Sequence, residues 1–201
     1  MSAWDGVIRR YRQVNGLTQA ALAEAIGVEQ ATISRWERGT HTPELNTQRR
    51  LRDLLTRSPV IKDCLVYHRV RTSMVPMKLA DRDGRNRAAS SAAAALHGIQ
   101  ARKLQTLDYR DLFTDVLEKQ WQEILSIGFF EGNIASVSVV NPWKTAGHQD
   151  IRYCRSCWTP AILSDGEVLL VSEFHDIDEL TYMTASAPAS MRVTTMEDLL
   201  A

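Results

Sequence analysis

Apolar residues recur at spacings of three and four through the first 57 positions. Val7, Ile8, Tyr11 and Val14 make one face of a helix predicted over residues 3–14, with Arg9, Arg10 and Arg12 on its other faces. Asn15-Gly16 closes it. The stretch TQAALAEAIGVEQATISRWERG, residues 18–39, then encodes two short helices with a tight turn between them. Thr18 is a good N-cap for a helix over 19–26, and Gly27 stands where that helix must stop and the backbone turn left-handed. The second helix is expected from about 29 to 38. Leu22, Ala23, Ile26, Val28, Ile33 and Trp36 fall on inward faces, with Ala23 small where the helices cross. Thr40-His41-Thr42-Pro43 reads as a loop. Helical pattern resumes over about 44–57 with Leu45, Leu51, Leu54 and Leu55 inward, giving about five helices in 57 residues.

Ser58-Pro59 is a helix-start pair, and VIKDCLVYH (60–68) continues as an amphipathic connecting helix ended by Met74-Val75-Pro76. Such a helix serves as a dimer seam or packs on its own domain, and the pattern leaves both open. Beyond it the period changes. Met77-Lys78-Leu79-Ala80 reads as a short strand, Asp81-Arg82-Asp83-Gly84 as a turn, and residues 85–89 as the returning strand. Ser90 caps a small helix over 91–96 closed by Gly98, and a longer helix covers about 111–127. Three β-rich runs follow at 132–140, 150–163 and 167–175, the last two joined by Ser164-Asp165-Gly166. Two strands, helices, then three strands is an α+β order. Residues 179–201 carry little pattern: ASAPAS (185–190) reads as a flexible strip and 195–200 as a helical turn.

Residues 7–55 resemble the Cro/repressor-type helix-turn-helix, the family of phage repressors and xenobiotic-response-element regulators. Leu17-Thr18-Gln19, Leu22-Ala23, Ile26-Gly27-Val28, Thr32-Ile33-Ser34, Trp36-Glu37 and Gly39 carry the likeness. It implies that the second helix of the motif lies in the major groove of DNA. The exposed N-terminal half of that helix then offers Gln30, Ala31, Ser34 and Arg35. Gln30 suits adenine N6/N7, Arg35 suits guanine O6/N7, and Ala31 can touch a thymine methyl, so Gln30, Ala31 and Arg35 are the expected base readers. Arg12, Gln19, Ser34, Arg38, Thr40 and His41 are the expected phosphate contacts. Glu29, acidic near an approaching phosphate, reads either as a cytosine contact or as a helix-start residue. The family binds pseudo-palindromic sites as two-fold dimers, which implies a homodimer here.

Residues 74–178 are similar to a PAS domain, on KLADRDGR (78–85), Ala88-Ala89-Ser90-Ser91-Ala92-Ala93 with Leu96 and Gly98, then Trp158-Thr159-Pro160, Asp165-Gly166-Glu167 and Phe174-His175-Asp176-Ile177. This implies a five-stranded antiparallel sheet covered on one face by helices, with a space between that holds a ligand or is filled by side chains. The expected organisation is therefore an all-α domain over 1–57, a connecting helix over 58–73, the PAS-like domain over 74–178 and a tail over 179–201.

Composition adds little until it is divided. Twenty-four basic and 24 acidic residues cancel, yet residues 1–58 hold nine Lys/Arg against six Asp/Glu and the remainder fifteen against eighteen. A basic N-terminal segment suits phosphate contact. No apolar run is long enough for a bilayer and the first ten residues lack a secretory h-region, so a cytoplasmic location is the expectation. Cys64, Cys154 and Cys157 do not form a secreted disulfide framework. Cys154 and Cys157, with His148 nearby, invite a metal reading. In a strand, however, residues three apart face opposite sides, which is unsuitable for one zinc or one disulfide. A PAS pocket makes His97, His148 and His175 conceivable haem ligands, although each reads more simply as a surface or core histidine. No cysteine falls in the helical segment where light-sensing members carry theirs. No nucleophile–base pattern, phosphate loop or carboxylate pair stands out, so no enzyme is expected and no cofactor is required. Two functions follow. One is a dimeric DNA-binding regulator whose PAS-like domain dimerises and senses a small molecule. The other is an interaction module, an antitoxin or signalling adaptor, whose C-terminal domain binds a protein. An enclosed pocket favours the first and an apolar groove on the sheet the second.

Overall fold

A computed structural model describes residues 3–146, 150–185 and 191–201, with the side chain of Ala3 left aside. His148 and residues 186–190 of the ASAPAS strip lie outside the described residues. The chain divides into two compact units, Met1–Cys64 and Leu65–Ala201.

The first unit is helical, and its helices form where the period of three and four placed them. They are α1 (Ala3–Val14), α2 (Gln19–Ile26), α3 (Gln30–Glu37) and α4 (Leu45–Arg57), with α5 (Pro59–Thr72) beginning one residue later. Among the described residues four helices lie in the first 57 positions, one fewer than expected, and α5 is the connecting helix read from Ser58-Pro59, which brings Ile61 onto the same core. The turn between α2 and α3 is built as its sequence demands. Thr18 Oγ1 accepts the Ala21 N–H at 3.0 Å, and Gly27 takes φ +66° while its N–H bonds back to the last turn of α2. Val28 N–H reaches Ala23 C=O at 2.9 Å, and Arg50 donates to the Ile26 carbonyl at the same distance. The freed C-terminal carbonyls of α2 are thus satisfied. Ile8, Tyr11, Leu22, Ala23, Ile26, Ile33, Trp36 and Leu51 form the core. The stripe of α1 is Trp4–Ile8–Tyr11, whereas Val7 and Val14 are exposed. Leu45 is also a correction: at the first position of α4 it is 60% exposed, because the helix begins there and its inward face starts at Thr47.

The second unit is an antiparallel sheet with helices. Its strands are β1 (Met77–Ala80), β2 (Asn86–Ala89), β3 (Ile134–Lys144), β4 (Ile151–Ile162), β5 (Val168–Ile177) and β6 (Met191–Thr195). The spatial order is β2-β1-β5-β4-β3-β6. Five strands were expected; the sixth comes from the segment read as an uninformative tail and pairs with β3, Val137 opposite Val193. Between β2 and β3 lie α6 (Ser91–Leu96), α7 (Ala101–Leu104), a 3-10 turn at Tyr109–Leu112, α8 (Asp115–Ser126) and a second 3-10 turn at Phe129–Glu131. The single helix expected over 111–127 is thus a 3-10 turn followed by α8, which Thr114 caps at Leu117 N–H. A last helix, α9 (Glu179–Thr184), precedes β6.

One sheet face meets the helices through Leu117, Trp121, Ile124, Phe129, Val137, Val139, Trp158, Leu170 and Phe174. The other face is covered at the β2-β1-β5 end as well. There Val66, Tyr67 and Val70 of α5 pack with Met77, Leu79, Ala88, Leu169 and Val171. All four residues of β1 are therefore buried, including Lys78. Ser90 fixes the junction of β2 and α6: its hydroxyl accepts from Met77 N–H and Ala93 N–H and donates to Val75 C=O.

Candidate nucleic-acid interface and core cavity

The helix α3 has two unlike faces. Ile33, Trp36 and Glu37 are buried, while Gln30, Ala31 and Arg35 are exposed and Ser34 is half-buried. Positions 30, 31, 34 and 35 share one side of the helix because side chains three to four residues apart align. Glu29 is the N-cap by backbone conformation, but its side chain makes no cap bond, so no side chain closes the N-terminus of α3. Arg35 lies back along its own helix, with Nε donating to Ala31 C=O at 3.2 Å, and Arg38 does the same to Ser34 C=O. Thr40 donates to Arg35 C=O and His41 stands 3.4 Å from the Thr40 hydroxyl; both are exposed at the loop after α3.

Arg12 and Gln19 are differently employed. Glu37 is 5% exposed. Its carboxylate accepts from Arg12 Nε at 2.7 Å, Arg12 Nη2 at 3.1 Å and Gln19 Nε2 at 2.9 Å. Arg12 Nη1 also donates to Leu17 C=O, and Arg9 donates to the Glu37 carbonyl. Burial pushes the Glu37 carboxyl up, but the Arg12 and Gln19 hydrogen bonds and the charges of Arg12 and Arg9 outweigh it, and it is held below the usual carboxylate range. The same bond holds the Arg12 guanidinium above its ordinary value. Arg12 and Gln19, both half-buried, thus join α1, α2 and α3 through one buried acid. Glu37 was missed as a structural residue, though its place four residues after Ile33 puts it on the inward face.

The second unit holds a chemical feature of its own. A cavity of about 10 Å³ between sheet and helices is lined by Lys78, Tyr109, Asn141, Trp143, Cys154, Ser156 and Phe174, with Leu112 and Leu117. That is room for about one water molecule. Lys78 is 3% exposed, and its Nζ lies 4.7 Å from the Tyr109 ring centre, 5.1 Å from Phe174 and 5.7 Å from Trp143. Among the described residues no carboxylate pairs with it. Burial lowers its pKa from 10.5 to about 7. The Cys154 thiol, pushed up to about 11 by burial, donates to Asn141 Oδ1 at 2.9 Å. Burial likewise raises the Tyr109 phenol.

Cys157, by contrast, is exposed on the opposite face of β4, so the two cysteines do not converge. Among the described residues no group of His, Cys, Asp and Glu could hold a metal ion. His97 is buried against Trp143, 4.6 Å between ring centres. Its Nδ1 accepts the Ala146 N–H, and burial, with the charges of Lys78 and Arg152, lowers its pKa to about 3. His175 is exposed beside Glu173. Among the described residues no helix is long and apolar enough to cross a membrane.

Residues 8–60 match the family model described as Helix-turn-helix. No curated protein matches the chain. Among solved structures, a PAS domain from a two-component sensor histidine kinase is similar at TM-score 0.46 and 8% identity, covering 60% of this chain and 100% of that one. The PAS domain of a LuxR-family transcriptional regulator from Burkholderia thailandensis gives TM-score 0.43 and 16% identity over 55% of this chain and 95% of that one. A LOV protein from Rhodobacter sphaeroides gives 0.48 and 11% over 59% and 68%. The chain thus carries an N-terminal helix-turn-helix, and an antiparallel sheet with helices follows it.

Proposed function

We propose that the protein is a homodimeric, sequence-specific, cytoplasmic regulator of transcription. It reads double-stranded DNA through α3 and answers to a small molecule held by its C-terminal unit. The observation that carries the DNA reading is the polarity of α3, buried through Ile33, Trp36 and Glu37 and open through Gln30, Ala31 and Arg35. Gln30 and Arg35 present the amide and guanidinium groups that pair with adenine and guanine edges. The N-terminus of α3 lacks a side-chain cap, which leaves its positive dipole end for a phosphate. Ser34, Arg38, Thr40 and His41 flank this face and supply the remaining phosphate contacts. A single α3 touches too few base pairs to be selective, so two copies related by a two-fold axis fit the chemistry of recognition.

The sensing reading rests on the small cavity at Lys78, which polar and apolar side chains line together. The far face of the sheet is lined differently. Around β3, β4 and β5 that face offers Ser138, Arg155, Cys157 and His175, all exposed, together with the exposed Ile151. A ligand that favours one conformation of the unit would shift the spacing of the two reading helices, which must match a helical turn of DNA.

The test is selection of a binding site from random duplexes, followed by fluorescence anisotropy with Arg35→Ala and Gln30→Ala. Each is expected to cost about 1–3 kcal/mol on the selected site and much less on random DNA. Unchanged affinity for the selected site in Arg35→Ala would remove α3 from the groove.

A further inference from the structure

We propose that the cavity at Lys78 binds a small monocarboxylate, of the size of formate or acetate, as the molecule sensed by the C-terminal unit. The proposal rests on the sensing reading above and names its ligand class. The first ground is charge. Lys78 brings an ammonium into the layer between sheet and helices, and every other titratable group lining the cavity, Tyr109 and Cys154, is held in its neutral protonated form by burial. Near the Trp143 ring stand two more basic groups, His97 and Arg152. Arg152 is paired with Asp176 and donates to Leu96 C=O, whereas Lys78 has no acid of its own among the described residues. Burial lowers the Lys78 pKa to about 7, and an anion in the cavity would hold the amine charged by pairing with it.

The second ground is the balance of donors. The indole N–H of Trp143, on the cavity wall, is buried without an acceptor among the described residues. The Lys78 amine adds further donors, while the Ser156 hydroxyl stands 3.3 Å from Cys154 Sγ and the Asn141 carbonyl accepts from Cys154. A ligand that only accepts hydrogen bonds fits such a lining, and an ionised carboxylate is acceptor-only. The third ground is position. Lys78 enters from β1, and its amine lies among Tyr109, Trp143 of β3 and Phe174 of β5, on the inward side of the sheet. The fourth is size: the space is about one water molecule, which limits a ligand to the smallest acids.

Calorimetric titration of the full-length protein with formate and with acetate, near pH 8 and in both HEPES and Tris, tests this. Saturable binding is expected at one site per chain. It should take up a fraction of a proton, seen as a heat that differs between the buffers, because the anion holds Lys78 charged. Lys78→Met should weaken binding at least tenfold, and Lys78→Arg should retain part of it. The proton uptake is read on the wild-type protein, so a poorly folded variant does not block the test. Failure of both acids to saturate, binding without proton uptake, or equal binding by Lys78→Met would overturn the proposal. A native mass spectrum of protein from its own host separates this from the parent reading. A retained neutral compound overturns the carboxylate and leaves sensing intact, and an empty protein that neither acid saturates overturns both.

Discussion

Replacing Lys78 by methionine should stabilise the ligand-free C-terminal unit, and by an amount that depends on pH in a definite direction. Methionine has nearly the length of lysine, needs no charge in the layer, and its thioether packs well against aromatic rings such as Tyr109, Trp143 and Phe174. The magnitude follows from the fall of the Lys78 pKa from 10.5 to about 7 on burial. At 1.36 kcal/mol per unit, the folded state loses about 5 kcal/mol by holding this proton. Below pH 7 both states are protonated and the wild type carries that whole penalty. Between pH 7 and 10.5 the folded amine is neutral while the unfolded one is still charged, so the unfolded state binds more protons and wild-type stability rises with pH. The advantage of Lys78→Met should therefore be largest at and below pH 7 and shrink by about 2–3 kcal/mol between pH 7.5 and 9.5.

The groups that face Lys78 do not confuse the reading. Cys154 is pushed to about 11, Tyr109 is raised further still, and His97 is lowered to about 3. Urea denaturation would follow tryptophan fluorescence with Trp4 and Trp36 replaced by phenylalanine. Trp121, Trp143 and Trp158 of the second unit then supply the signal. A difference between the two proteins that is flat from pH 7 to 9.5 would refute the buried, unpaired amine, as would a methionine variant less stable at pH 7.

Other expectations concern the first unit and the sheet. Glu37→Gln should cost about 2–4 kcal/mol of N-terminal stability, because it leaves the buried Arg12 and Gln19 contacts short of their charge, and hydrogen exchange of α1–α3 peptides would measure it. The Glu37 pKa is lowered on folding, so its contribution is complete above the ordinary glutamate range and fades as pH falls through the depressed folded value. Gly27→Ala should lower the melting temperature of the first unit by destabilising it about 1 kcal/mol, since φ +66° is strained for alanine. Ser90→Ala should cost about 1–3 kcal/mol in chemical denaturation, as it strips acceptors from Met77 and Ala93 N–H in a fully buried corner.

Much of this protein was legible because its signals are local. Thr18, Gly27 and the apolar spacing specify α2, its stop and α3 within ten or so residues, and the strand–turn–strand–helix of 77–96 is equally self-contained. Where the reading failed, the cause lay in partners far along the chain. Val7, Val14 and Leu45 lie on helices with more than one apolar direction, and only the packing of α1–α4 chose between them. The strand β6 has weak pattern of its own and exists through its ladder with β3, some 55 residues earlier. The bonds of Arg12 and Gln19 to Glu37 likewise became visible only once α1, α2 and α3 were packed.

Lys78 marks the division most clearly. Sequence by itself determined that it alternates with Met77 and Leu79 and so lies on the other side of β1 from them. In an edge strand with one wet face that side would be solvent. Tertiary structure decided otherwise, by laying α5 over one face of β1 and the helices between β2 and β3 over the other, so that both sets of side chains are buried. Alternation is a property of one strand's backbone, but burial depends on what covers each face, and those covers come from residues 66–70 and 91–143, brought together only when the sheet forms.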